Sequence, residues 1–186
     1  MTPRLLVVAA TAAEAAYLPA GVPVVVTGIG KVAAAAVTAA TLAEVDRAGL
    51  TVCNLGTAGA LRPGVTGLRL PSQVVNHDIS AALLASLGYP VTDTLTVPDG
   101  DGSVLATGDT FLADPVARDR LAQRADLVDM EGFAVAFAAI RAGVPVRLVK
   151  HVSDAADERA MDWPARVDAS ARVLGAWVAG WLEASG

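Results

Sequence analysis

Residues 144–157 read Val-Pro-Val-Arg-Leu-Val-Lys-His-Val-Ser-Asp-Ala-Ala-Asp. A β-rich apolar run (Val146, Leu148, Val149, Val152) stops abruptly at Ser153-Asp154. In an open α/β sheet, ligands bind outside the carboxyl ends of the strands. A carboxylate one residue past a buried strand therefore has two readings. It is an acid available for chemistry, or it caps the next turn. The company it keeps elsewhere in the chain decides between them.

Working outward, the same pattern of apolar run, polar or glycine turn, and helix recurs. Leu127–Asp129 reads as a short strand before Met130-Glu131-Gly132, and an apolar helix follows to Ala142, ended by Gly143. Residues 103–107 read as a strand leading into Gly108-Asp109-Thr110-Phe111, and Asp114-Pro115 opens a helix to about Arg124. Nearer the start, 5–8 is an apolar run suited to burial on both faces. A second strand, 22–27, enters Gly28-Ile29-Gly30-Lys31 and an Ala-rich helix over 32–47. A third, 51–54, opens into Gly56-Thr57-Ala58-Gly59, read as a glycine turn. Strands are also expected over 69–76 and 91–97, a short helix over 81–87, and a last helix from Pro164 to about Ala184. This alternation predicts a single α/β domain over 1–186, with helices around a mixed, mostly parallel central sheet.

Of 186 residues, 54% are hydrophobic and 18% charged, which excludes disorder and supports a sizeable core. The net charge is -5 and no basic cluster occurs, so nucleic acid is not an expected partner. No run approaches the roughly 18 uncharged apolar residues of a membrane span. Arg4 and the residues after it imitate a signal peptide, but the apolar core is short and Glu14 interrupts it. The one cysteine, Cys53, forms no disulfide within the chain, which fits a reducing, cytoplasmic compartment. His77 and His151 are isolated, so no zinc spacing exists and no metal is expected.

Three acids, Glu14, Glu131 and Asp154, fall near strand ends in this apolar chain. A scaffold needs glycines at turns; it does not need acids there. Other features are weaker. Gly28-Ile29-Gly30 lacks the third glycine of a dinucleotide fingerprint and does not follow the first strand, so no such cofactor is expected. Gly56-Thr57-Ala58-Gly59 is either a plain turn or a ribose or oxyanion contact. His77-Asp78 reads as a structural contact before a catalytic pair. Trp177 and Trp181, at i and i+4, read as core or interface.

Taken in order, five stretches resemble the nucleoside phosphorylase/nucleosidase superfamily. They are TGIGKVAAA (27–35), NLGTAGAL (54–61), ATGDTFL (106–112), DMEGFAVA (129–136) and VSDAAD (152–157). The resemblance is closest to the methylthioadenosine/S-adenosylhomocysteine nucleosidases, and it covers nearly the whole chain. It implies that Asp154, with Ser153 beside it, is the general acid protonating the purine at N7. It implies that Glu14 orients or deprotonates the attacking water and that Glu131 accepts hydrogen bonds from the ribose 2′- and 3′-hydroxyls. Met130 would pack under the sugar, and Thr57, Ala58 and Gly59 would line the ribose and base side. Phe111 would stack near the purine, Leu112 would supply backbone contacts, and Ile29 would face the 5′ substituent. The resemblance also implies a homodimer.

The chemistry is consistent with those roles. Breaking an N-glycosidic bond leaves positive charge on the sugar and negative charge on the base. An acid on the base side and a carboxylate on the water side answer both. Phosphorylases of the superfamily carry an arginine two residues before the first glycine of GTAG; Asn54 stands here, which favours hydrolysis. Two departures bear on the substrate. The stretch between His77-Asp78 and Thr107 is short, and Ser80 stands where the family keeps an acid. Gly132 after Met130-Glu131 is also similar to the futalosine hydrolases, so methylthioadenosine-like and futalosine-like substrates both remain open.

Overall fold

The computed structural model describes residues 4–156 and 163–185. Asp157, the last residue of the VSDAAD motif, lies outside them. In chain order the elements are β1 (Arg4–Ala9), β2 (Val24–Val26), α1 (Lys31–Glu44), β3 (Leu50–Ala60), β4 (Leu68–Arg69), β5 (Gln73–Asn76) and α2 (Ala81–Ser86). There follow β6 (Thr94–Thr96), β7 (Val104–Thr107), α3 (Pro115–Leu121), β8 (Leu127–Asp129), α4 (Gly132–Arg141), β9 (Val146–Asp154) and α5 (Trp163–Ser185). No helix among the described residues is long and apolar enough to cross a membrane.

The strands form one mixed sheet ordered β2-β1-β3-β8-β7-β5-β6, with β9 paired to β3 and β4 paired to β9. Five of the pairings are parallel (β1 with β2 and β3, β3 with β9, β7 with β5 and β8). The central strand is β3. It pairs with β1 over Leu50 to Asn54, with β9 from Val52 to Gly59, and with β8, antiparallel, at Gly59 and Ala60.

Strand residues alternate between two cores because successive side chains leave opposite faces. Leu6, Val8, Val52, Val146 and Leu148 meet Ala34 and Leu42 of α1 and most of α4 on one face. Leu5, Val7, Cys53, Leu55 and Val149 meet Leu174 and Val178 of α5 on the other, with Trp177 and Trp181 packed alongside. The tryptophan pair therefore covers core. In α1 the buried residues Ala34, Thr38 and Leu42 recur every fourth position, one stripe of the helix. In α4 seven of ten residues are buried, since it lies between α1 and the sheet.

The structure corrects the sequence reading in two places. Gly56-Thr57-Ala58-Gly59 is not a turn: β3 runs straight through it, with a register shift against β9 at Ala58/Gly59. The expected strand over 69–76 is two strands, separated at Leu70-Pro71-Ser72; proline has no N–H for a ladder. After β1, residues 12–17 form turns. Asp114, by contrast, caps α3 as expected, accepting from the Val116 and Ala117 amides at 3.3 and 3.0 Å.

Candidate active site

The carboxyl ends of β1, β3, β8 and β9 converge on one cleft. The turn after β1 contributes Ala10, Thr11 and Glu14, and the turn after β2 contributes Ile29. The interior of β3 contributes Thr57, Ala58 and Gly59, and the segment after β7 contributes Thr110, Phe111 and Leu112. The end of β8 brings Val128, Asp129, Met130 and Glu131, and the end of β9 brings Ser153 and Asp154. All eleven residues singled out from the sequence lie in this set. Among the described residues, the lining holds no lysine, arginine or histidine.

Glu14 is buried and accepts four hydrogen bonds. Its Oε2 takes the Thr11 N–H and hydroxyl, both at 3.1 Å, and its Oε1 takes the Thr57 N–H at 2.8 Å and hydroxyl at 3.0 Å. This arrangement explains Gly56. A Cβ there would stand 2.9 Å from Glu14 Oε1. Gly59 is crowded in the same way: a Cβ would stand 3.0 Å from both Asp154 Oδ1 and the Ala156 methyl. The glycines of β3 thus exist for side chains that cross over the strand, not for a bend in it.

Glu131 is also buried, and among the described residues its carboxylate accepts a single hydrogen bond, from the Gly30 N–H at 2.8 Å. Burial pushes its pKa up to about 7, helped by Asp129 and Glu14 and opposed by the Gly30 amide and Lys150. Beneath it, Lys150 and Asp129 form an ion pair at 2.8 Å with both side chains 2% exposed. Burial works against the Lys150 charge, yet Asp129, Glu131 and Glu14 outweigh it and raise its pKa. Asp129 is held on every side. Thr107 Oγ1 donates to it at 2.6 Å and the Gly132 N–H at 2.9 Å, while the Phe133 N–H donates to Thr107 Oγ1. The pair of side chains satisfies the first amides of α4.

Asp154 is half-buried at the end of β9. Its Oδ2 accepts from Ser153 Oγ at 2.7 Å and its Oδ1 from the Ala156 N–H at 2.8 Å. Arg166 of α5 donates to the Ser153 carbonyl at 3.0 Å, which ties the strand end to that helix. Phe111 and Ile29 are half or more exposed at the rim, with 50% and 60% of their surface accessible. Among the described residues, no group of three or more His, Cys, Asp or Glu side chains is placed to hold a metal ion.

Comparisons with known proteins place this architecture. A family model for the Phosphorylase superfamily matches residues 101–179. Helicobacter pylori MTAN, a D198N mutant solved with 5′-methylthioadenosine in its active site, superposes with a TM-score of 0.84 at 21% identity, over 99% of this chain and 100% of that one. The chain has the nucleoside phosphorylase/nucleosidase fold. Helicobacter pylori futalosine hydrolase superposes with a TM-score of 0.83 at 21% identity, each chain covered to 99%. The 5′-methylthioadenosine/S-adenosylhomocysteine nucleosidase of S. pneumoniae, solved with a transition-state inhibitor, gives 0.81 at 22% identity, over 97% of this chain and 99% of that one. No curated protein sequence matches significantly. The fold and the superfamily match agree with the resemblance that the five motifs carry.

Within this nucleosidase-like fold, several residues fall elsewhere than the sequence suggested. Asn54 does not line the cleft. It is buried in the sheet, where its Nδ2 donates to the Val8 carbonyl at 3.2 Å. His77 and Asp78 form no hydrogen-bonded pair; Asp78 binds Lys31, and the His77 ring fits against Gly108, where any Cβ would collide with it. Gly132 has a packing reason, since a Cβ would stand 2.6 Å from Leu105 Cδ2 and 2.9 Å from Asp129 Oδ2. Sequence reasoning passed over Lys150 and Asp129. The signal for Lys150 was available: it shares a strand face with Leu148, and a lysine inside so apolar a run calls for a buried partner.

Proposed function

We propose that this protein hydrolyses the N-glycosidic bond of a 5′-modified purine nucleoside of the methylthioadenosine/S-adenosylhomocysteine type, releasing the free purine and the ribose sugar. One observation carries the reading: Glu14, Glu131 and Asp154 line a single cleft that, among the described residues, has no cation to receive phosphate. A phosphate nucleophile needs a cation or a bank of donors. Water needs only an acceptor for its proton.

In this reading water binds at Glu14 beside the Thr57 hydroxyl and attacks C1′ as the bond to N9 breaks. The bond's electron pair goes to the base, Asp154 delivers a proton to N7, and Glu14 takes the proton that water loses. Glu131 accepts the ribose hydroxyls, which requires its ionised form. Met130 lies under the sugar, Phe111 and Leu112 meet the purine, and Ile29 faces the 5′ group. The exposed apolar side chains Ile29, Val32 and Phe111 support a homodimer that covers the rim. A futalosine-type substrate is the second reading, supported by a fold likeness to that hydrolase as close as to the methylthioadenosine enzymes.

The test is base release from methylthioadenosine, S-adenosylhomocysteine, 5′-deoxyadenosine, adenosine, inosine and futalosine, with and without phosphate. Release in phosphate-free buffer is expected. Strict dependence on phosphate would make it a phosphorylase, and binding without release a sensor. Asp154→Asn is expected to abolish turnover while leaving the far-ultraviolet dichroism unchanged; normal turnover in that variant removes Asp154 as the acid.

A further inference from the structure

The single hydrogen bond to Glu131 comes from a soft part of the chain. Glu131 stands at the N-terminal cap of α4 and makes no capping bond of its own there. Its donor, the Gly30 N–H, belongs to the turn that precedes α1. Gly28 has φ 84° and Gly30 φ 96°. Such angles suit glycine, which also leaves the turn free to take other shapes. The other groups that face Glu131 are set by firmer elements: Asp129 at the end of β8, Lys150 in β9, and Glu14 fixed by Thr11 and Thr57.

The turn is pinned at both ends. At its start the Thr27 and Gly28 amides donate to the Ala9 and Ala10 carbonyls at 2.9 and 3.0 Å. At its end everything converges on Lys31. Its N–H donates to Asp109 Oδ1 at 2.7 Å, and its ammonium donates to Asn76 Oδ1 at 2.9 Å and to Asp78 Oδ1. Asp78 Oδ2 in turn accepts the Asp109 N–H at 2.8 Å. The Lys31 side chain is only 18% exposed, so its pairing is sheltered from solvent. One side chain thereby ties the turn to the ends of β5 and β7.

We propose that Lys31 is a positioning residue: by binding Asn76 and Asp78 it holds the Gly30 N–H on Glu131 Oε1, and so aims the remaining acceptor sites of Glu131 at the sugar hydroxyls of the substrate. The proposal rests on the nucleosidase reading for its substrate, but the tether itself is a property of the free protein. Glu131 would meet those hydroxyls in the ground state and the transition state alike. Loosening it therefore raises KM more than it lowers kcat. Because the Gly30 amide stabilises the ionised carboxylate, its loss also moves the Glu131 titration upward.

The experiment compares the whole protein with Lys31→Met and Lys31→Arg. Carboxyl-labelled glutamate followed by carbon NMR gives the Glu131 midpoint, assigned by its disappearance in Glu131→Gln. Methylthioadenosine hydrolysis gives KM and kcat. In Lys31→Met the midpoint is expected to rise, with KM up about tenfold and kcat within about threefold, and Lys31→Arg is expected to recover both in part. An unmoved midpoint in folded Lys31→Met overturns the proposal, and so does a fall in kcat alone. Should Lys31→Met fail to fold, Asp78→Asn is read by the same two measurements. If the wild-type protein releases no base from any nucleoside, the nucleosidase reading fails, and the titration alone still decides the role of Lys31.

Discussion

Glu14 and Glu131 are buried carboxylates of one cleft, yet they are held in opposite ways. Glu14 receives four donors from two threonines, one in the turn after β1 and one in the middle of the sheet. Glu131 receives one, from a glycine amide on a turn. Four donors fill the acceptor capacity of a carboxylate. Two of those on Glu14 are hydroxyls, which can swing away for a water, while the two amides stay and keep the group in place. Glu131 instead has Asp129 close by and acceptor capacity to spare, which the proposed function fills with the sugar hydroxyls. The chain separates a preset acceptor from an unfinished one by donor count, not by burial.

The largest expected effect falls on Glu14. Glu14→Gln turns an acceptor into a donor facing the Thr57 or Thr11 amide and, on the proposed nucleosidase reading, removes the water-side base, so kcat/KM should fall on the order of 10²- to 10⁴-fold. Activity within tenfold of wild type would erase the functional contrast between the two acids. Next comes the cation beneath them. Lys150→Met leaves Asp129 buried without its partner, at a cost of about 3–5 kcal/mol in urea unfolding; a loss below about 1 kcal/mol would mean that the hydrogen bonds to Asp129 suffice without the charge.

Glu131 offers a sharper probe, through pH. Its folded pKa of about 7 lies above the ordinary value of 4.5, so the native state binds the extra proton between those values. The stability it contributes is full below about pH 4.5 and is lost as pH rises through 7, on the order of 3 kcal/mol in all. Glu131→Gln should remove that slope, so the difference in melting temperature between variant and wild type should widen from pH 5 to pH 7.5 in favour of the variant. Parallel profiles would show that Glu131 is as well satisfied as Glu14. The smallest effect is expected from Gly56→Ala, whose methyl meets Glu14 Oε1 at 2.9 Å. A loss of about 1–3 kcal/mol, with activity falling alongside, is the signature of a displaced Glu14; stability lost without activity would place the strain elsewhere.

Much of this was legible in the sequence, because strand ends in an α/β chain advertise themselves. An apolar run that stops at Ser153-Asp154, or at Met130-Glu131, puts those residues at one edge of the sheet whatever the strand order. What the sequence concealed was why its glycines are there. Composition makes GTAG a turn, and only the crossing of Glu14 over Gly56 and Asp154 over Gly59 shows it as strand. Asn54 hides its side chain in the same way. Its side chain enters the sheet and bonds Val8. Lys150 and Asp129 escaped because neither is near enough in sequence to suggest the other; β8 and β9 flank β3 on opposite edges, and Lys150 reaches Asp129 across Gly56.

The position of β9 has a consequence for how the protein comes into being. Its partner β3 precedes it by nearly a hundred residues, and β9 alone brings both Lys150 and Asp154. On a growing chain, Glu14, Asp129 and Glu131 all emerge before the lysine that offsets them. Contacts that close so long a loop form late. Until residues 146–154 dock, one side of β3 is open and the acids have no counter-ion. Completing the sheet, supplying Lys150 to the buried acids and bringing Asp154 to the cleft then all wait on the same strand.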